Sequence, residues 1–112
     1  TPNPDILKEV APIGAEPAIG SFGPDKFLGT DLEKILKEKG IQTVIVVGTA
    51  AHGAVIHTAS GAAMRKLKVL VPVDGMSATD LYPEQYTAWH LVNAPVFGPQ
   101  VTLTKTDMIQ IP

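Results

Sequence analysis

No cysteine occurs in the 112 residues, which excludes disulfides, thiolate metal sites and a cysteine nucleophile within this chain. A block of basic charge is also missing. The 9 Lys and Arg and the 11 Asp and Glu are scattered, giving a net charge of −2 and a pI near 5.8. Nothing here is arranged to neutralise phosphates, and nucleic acid is not expected as a partner. No apolar run approaches the roughly 18 residues of a membrane span, and Thr1 to Val10 lacks both the basic and the apolar region of a signal peptide. The expectation is a soluble, cytoplasmic protein without a membrane partner. An initiating methionine is absent too, so Thr1 reads as the start of a processed product or a fragment.

What is present suits one domain. A chain of 112 residues with 45% hydrophobic content can build one core and is too short for two. Residues 1–29 hold Pro2, Pro4, Pro12, Gly14, Pro17, Gly20, Gly23, Pro24 and Gly29, the composition of a loop-rich arm with at most a short strand around Ala18 to Phe22. Residues 30–112 form the α/β core. In TDLEKILKEKG, Thr30 and Glu33 have capping-box spacing, Leu32, Ile35 and Leu36 make an apolar face, and Gly40 suits the position just past the helix. The β-branched run Gln42 to Val47 reads as a strand covered on both faces, ended by Gly48. Small residues from Gly53 to Arg65 suit a helix lying close to a sheet. Lys68 to Val73 reads as a second buried strand, Tyr82 to Asn93 as a helix and Val101 to Leu103 as a final strand. Strands alternating with helices predict a parallel sheet.

In such sheets ligands bind beyond the carboxyl ends of the strands, which directs attention to the loops Gly48 to Gly53 and Asp74 to Asp80. GTAAHG has phosphate-loop glycine spacing, but Ala54 and Val55 follow where Lys and Ser or Thr are required, so a Walker A reading fails. A helix N-terminus with free N–H groups remains, suited to an anion or a developing oxyanion. His52 at this mouth is either a site-lining residue or plain loop. Five residues separate it from His57, which do not share a helix face cleanly, and no metal is expected. His57 reads as a packed or hydrogen-bonded helix residue. Trp89 and His90, with Tyr82 and Tyr86, read as core or subunit interface. Asp74 is equally a strand-end carboxylate or ordinary Asp-Gly turn chemistry. Neither Ser60 nor Ser77 has an identifiable base, so no Ser/His/Asp arrangement emerges.

The ordered set from Phe27 to Ala78, FLGTDLEKILKEKGIQTVIVVGTAAHGAVIHTASGAAMRKLKVLVPVDGMSA, resembles the isochorismatase-like hydrolases, the cysteine hydrolase superfamily. The likeness extends from about Glu16 to Ile109. It implies an α/β fold, a three-layer α/β/α sandwich with a mainly parallel sheet, and hydrolysis of amides or of a vinyl ether. Amide-cleaving members use an Asp, Lys and Cys triad, with backbone N–H groups around a cis peptide holding the oxyanion. Carried over, the nucleophile position falls on Ala54, the cis peptide on Thr49-Ala50, and the oxyanion donors on Ala50 and Ala54. Thr49, Ala50, His52 and Ala54 are therefore the candidate ligand-binding residues, with Phe27 and Asp74 as candidate site-lining residues. Ala54 is not reactive, the lysine position falls near Ser21 with Lys26 displaced from it, and the catalytic Asp belongs to a strand that would precede Thr1.

The resemblance thus implies that N-terminal strands are missing from this chain, leaving the Thr43 to Val47 strand as an open apolar edge. A homo-oligomer or a second chain supplying those strands is the expected partner, beside a small-molecule ligand; no cofactor is expected. Two functions stay open. One is a hydrolase-family protein that binds or acts on a small carbonyl or carboxylate compound without a thiolate, since vinyl-ether hydrolysis of the isochorismatase type does not require the cysteine. The other is a catalytically inactive pseudoenzyme serving binding or assembly.

Overall fold

Three α-helices and five short strands alternate in the computed structural model, which describes residues 6–111. Pro2 and Pro4 of the arm lie outside the described residues. Elsewhere the arm forms a single 3-10 turn at Lys8–Val10. The strand expected around Ala18 to Phe22 does not form; Phe22 is fully exposed, and a strand without a ladder partner has no hydrogen bonds to hold it.

Helix α1 spans Leu32–Glu38. Its end is the Schellman arrangement that the glycine suggested: Gly40 has φ of +66°, its N–H donates to the Lys37 carbonyl at 3.1 Å, and Ile41 N–H donates to Leu36 at 2.9 Å. Its start differs from expectation. Thr30 Oγ1 does accept the Leu32 N–H at 3.3 Å, but Glu33 does not turn back to complete a capping box. Its carboxylate instead accepts from Arg65 Nε at 2.8 Å and pairs with Lys37 at 3.2 Å. A guanidinium is the stronger donor than a neutral backbone N–H.

Strands β1 (Thr43–Ile45), β3 (Lys68–Pro72) and β5 (Val101–Thr104) form a parallel sheet in the order β1-β3-β5. Beyond it, β2 (Gly48–Thr49) and β4 (Met76–Ser77) pair in parallel as a second, two-stranded ribbon. The connections β1 to β3 and β3 to β5 carry helices, as parallel neighbours require. Helix α2, Ile56–Met64, continues directly from a π-helical turn at Ala51–Val55, so helical structure starts two residues earlier than the sequence suggested. Helix α3 is Leu81–Asn93. Among the described residues no helix is long and apolar enough to cross a membrane.

Register decides which face is covered. Val44, Val69 and Val101 stand side by side, as do Ile45, Leu70 and Thr102, and neighbours in register point the same way while successive residues alternate. The valine face packs into one buried cluster with Ala59, Ala62, Ala63 and Leu91 of α2 and α3, and Leu32 and Leu36 of α1 pack against its margin. On the other face Ile45 is 42% exposed, Leu70 is half-buried and Thr102 is exposed. Described residues therefore provide the sheet and one helical layer. The expectation that the first strand is covered on both faces is overturned: among the described residues β1 pairs on one side only and no helix covers its outer face. Val47, just past it, is 56% exposed.

Two substitutions test this packing. A Cβ on Gly98 would stand 2.9 Å from the Val92 carbonyl oxygen, a backbone atom that cannot swing aside, so Gly98→Ala is expected to cost about 1–3 kcal/mol in urea unfolding. Thr87 is fully buried on α3 and its hydroxyl has no hydrogen-bond partner among the described residues. Thr87→Val, of the same shape, is expected to raise unfolding stability by about 1 kcal/mol in the same measurement.

Candidate functional site

The two loops leaving β1 and β3 run side by side because β2 and β4 pair, Gly48 opposite Met76 and Thr49 opposite Ser77. Thr49 Oγ1 donates to the Ser77 carbonyl at 3.2 Å, adding a side-chain rung to this ribbon. The Thr49-Ala50 peptide is cis, at the position the resemblance implies. The chain then enters the π-helical turn, where the Ala50 carbonyl accepts from Gly53 N–H at 3.0 Å and from Val55 N–H at 3.3 Å. The first N–H groups of a helix have no partner within it, and this turn lies beyond the end of β1.

Thr49, Ala50, His52 and Ala54 are thus brought together on one turn. Ala51 and Val55 are buried and anchor it, His52 is exposed, and Ala50 and Ala54 are half-buried. His57 Nδ1 lies 2.8 Å from the Gly53 carbonyl; a carbonyl only accepts, so Nδ1 carries the proton. His57 is a hydrogen-bonded helix residue.

Two other candidates stand apart. Phe27 is buried below the Arg65 guanidinium, whose carbon lies 4.4 Å from the ring centre, and it faces Gly61. Seven residues of helix separate Gly61 from Ala54, about 10 Å along the axis, so Phe27 packs the loop onto α2 rather than lining the turn. Asp74 follows β3 but is engaged elsewhere: Oδ1 accepts the Thr106 N–H at 2.9 Å and Oδ2 the Thr106 hydroxyl at 2.7 Å. These bonds, the hydroxyl's first, hold its carboxyl below the usual carboxylate range. Between its two readings, the structure supports a local clamp. Lys26 Nζ turns to the Gly23 carbonyl at 2.8 Å, and Ser21 Oγ is 3.5 Å from that same oxygen.

Sequence reasoning missed three positioning groups. Glu84 Oε2 accepts the Ala78 N–H at 3.1 Å and fixes the loop after β4; its only signal was an acid in the first turn of α3. Thr58 Oγ1 accepts the Lys26 N–H at 3.0 Å and donates to the Pro24 carbonyl at 3.2 Å. Arg65 joins Glu33, the Gly61 carbonyl and Phe27. No group of three or more His, Asp or Glu able to hold a metal occurs among the described residues.

With this geometry in view, the comparison with known proteins becomes specific. The family model of the isochorismatase domain matches residues 1–105. The chain belongs to the isochorismatase family. Among solved structures it is similar to an isochorismatase-like hydrolase from Alkaliphilus metalliredigens, with 27% identity and a TM-score of 0.79 over 92% of this chain and 53% of that one. It is also similar to N-carbamoylsarcosine amidase from Thermoplasma acidophilum, with 28% identity and a TM-score of 0.76 over 95% and 57%. The nicotinamidase from Staphylococcus aureus shares 30% identity at a TM-score of 0.66 over 68% and 49%. The chain spans about half the length of the solved relatives it matches.

The Asp74 clamp sets a pH dependence. Its folded carboxyl ionises more readily than in the unfolded chain, so the clamp contributes above the unfolded value and is lost as pH falls through the lowered folded one. Asp74→Asn is expected to shrink the drop in thermal midpoint between about pH 7 and about pH 2.5, with Thr106→Val shrinking it similarly.

Proposed function

We propose that this isochorismatase-family chain holds the carbonyl or carboxylate of a small molecule on the backbone donors of the turn from Thr49 to Ala54, without a thiolate. One observation supports this reading: a helical turn, Ala51–Val55, begins just past β2, where the first N–H groups of a helix lack partners within it, while the chain has no cysteine at all. Ala54 stands at the family's nucleophile position by resemblance, with Ala50 and Ala54 as the donors and His52 at the mouth. Chemistry that needs no thiolate, such as vinyl-ether hydrolysis, fits this arrangement.

The engagement of Asp74 by Thr106 and of Lys26 by Gly23 favours a second reading. Both groups are committed to neighbouring loops, and a cradle whose carboxylate and lysine neighbours are tied up elsewhere binds more readily than it turns over. In that reading the chain is a pseudoenzyme.

Either reading is completed by strands added at β1. Its free edge and the open Ile45 and Leu70 face support a companion segment, in the same polypeptide or another, that pairs in parallel with β1.

Titrating the isotope-labelled protein with nicotinate and nicotinamide, followed by amide NMR, tests the site. Both readings expect shifts confined to residues 49–55 and 76–78 at roughly millimolar ligand, a binding energy near −4 kcal/mol. Release of pyruvate from the vinyl ether isochorismate, added separately, supports retained hydrolysis without a thiolate, and binding without release supports the pseudoenzyme. Unmoved amides at about 10 mM, weaker than that energy permits, overturn the cradle for this class of ligand.

A further inference from the structure

Side chains from two different elements meet at one peptide unit. The peptide joining Ser77 to Ala78 accepts at its carbonyl from Thr49 Oγ1 at 3.2 Å and donates from its N–H to Glu84 Oε2 at 3.1 Å. The carbonyl and N–H of a trans peptide point in opposite directions, so this plane cannot rotate or shift without breaking one of the two bonds. Thr49 ends β2, directly ahead of the turn that starts at Ala51. A continuous line therefore runs from the first turn of α3, through a single peptide, to the entrance of the Ala51–Val55 turn.

We propose that Glu84 is a positioning residue for the turn from Thr49 to Ala54, acting through the Ser77-Ala78 peptide; the proposal rests on reading that turn as the cradle for a small carbonyl or carboxylate compound. Capping of α3 does not account for the bond. A capping box returns the N3 side chain to the N–H of the cap residue, whereas Glu84 reaches past the cap, Asp80, to Ala78. Its target is the residue directly after β4, the strand paired with β2. Polarity fits the same role. Hydroxyl, peptide and carboxylate form a chain in which every donor points toward the negative end, and bonds in such a chain strengthen one another, so Glu84 makes the Ser77 carbonyl a better acceptor for Thr49. Placement fits it too. Glu84 is half-buried in the first turn of α3, where the helix dipole favours an acidic side chain. The peptide it holds is flanked by Met76, buried in the core, and by Ala78, which packs against that core.

Neither neighbouring acid stands ready to replace it. Asp74 is committed to Thr106, and Asp80 Oδ2 accepts from the Thr79 hydroxyl at 3.5 Å.

Amide hydrogen exchange, followed by NMR on the ligand-free labelled protein, tests this. Glu84→Ala is expected to speed exchange at Ala78, and at Gly53 and Val55, whose N–H groups bond the Ala50 carbonyl, at least about tenfold, while the amides of β3 keep their rates. Thr49→Val is expected to do the same at Gly53 and Val55. The double variant is expected to exceed the larger single effect by no more than about twofold, because both substitutions break one chain. Glu84→Gln, of the same shape with a neutral acceptor, is expected to speed the same amides only about threefold, and it keeps the test decisive if the Ala variant does not fold. Acceleration confined to Ala78, acceleration that reaches β3 equally, or a double variant whose effect is the product of the singles overturns the proposal. A nicotinate affinity that Glu84→Ala leaves unchanged also overturns it; the expected loss is at least about fivefold. Because exchange is read without ligand, a cradle that binds nothing and a Glu84 that positions nothing give different results.

Discussion

The closeness of α2 to its neighbours on two sides is the constraint from which the other features follow. Toward the sheet it presents Ala59, Ala62 and Ala63, all buried with Val69 and Val71. Toward the 23–30 loop it presents Gly61, where a Cβ would stand 3.2 Å from Phe27 Cδ2, from Asp25 Oδ1 and from Arg65 Nη1. Large side chains at these positions would push the helix off the sheet or the loop off the helix, and close-packed interiors transmit such shifts. Because the Ala51–Val55 turn runs unbroken into α2, the helix position also sets where the turn's backbone donors point. Packing and site are one mechanical unit.

Within that unit the ionisable groups are largely spent on holding loops together. Glu33 and Arg65 tie α1 to the end of α2, Asp74 ties the β3 turn to Thr106, Glu84 ties the β4 loop to α3, and Lys26 closes its own loop. For Glu33 and Asp74 the bonds lower the carboxyl below its usual range, the Arg65 bond leading for the first and the Thr106 hydroxyl for the second. A carboxylate held in that way is a poor proton acceptor near neutral pH. Beside His52, what the loops leave available beyond β1 is backbone N–H, which stabilises negative charge and moves no proton.

Local signals survived into the structure where their partners are near in sequence. The Gly40 helix end needs only Lys37, Leu36 and Ile41, and it formed as read. Alternating strands and helices likewise required no distant information beyond hydrophobic pattern. The capping box failed because Glu33's better partner, Arg65, comes 32 residues later and meets it only when α1 and α2 pack. Asp74 was undecidable for the same reason, its partner lying 32 residues on. The β1 run looked doubly buried because β-branched content reports what a strand is suited to, while burial depends on whether a neighbour is present. Thr49, Ala50, His52 and Ala54 could be grouped because they are contiguous; Phe27 was misplaced toward the site because only the fold shows that it lies along the far half of α2.

Two exposed apolar surfaces, the β1 edge and the outer face of α3, differ in kind. At β1 the exposed groups include unpaired backbone N–H and C=O, with Ile45 and Val47 beside them, and such an edge is satisfied only by another strand. The outer face of α3 has its backbone bonds closed within the helix and exposes side chains alone, Leu81, Tyr82, Tyr86 and Trp89 among them, so covering it needs no hydrogen-bond ladder. Sheet order puts β1 and β5 at opposite ends, with α3 packed on β5. Covering the β1 edge and covering the α3 face consequently call on different forces at different places.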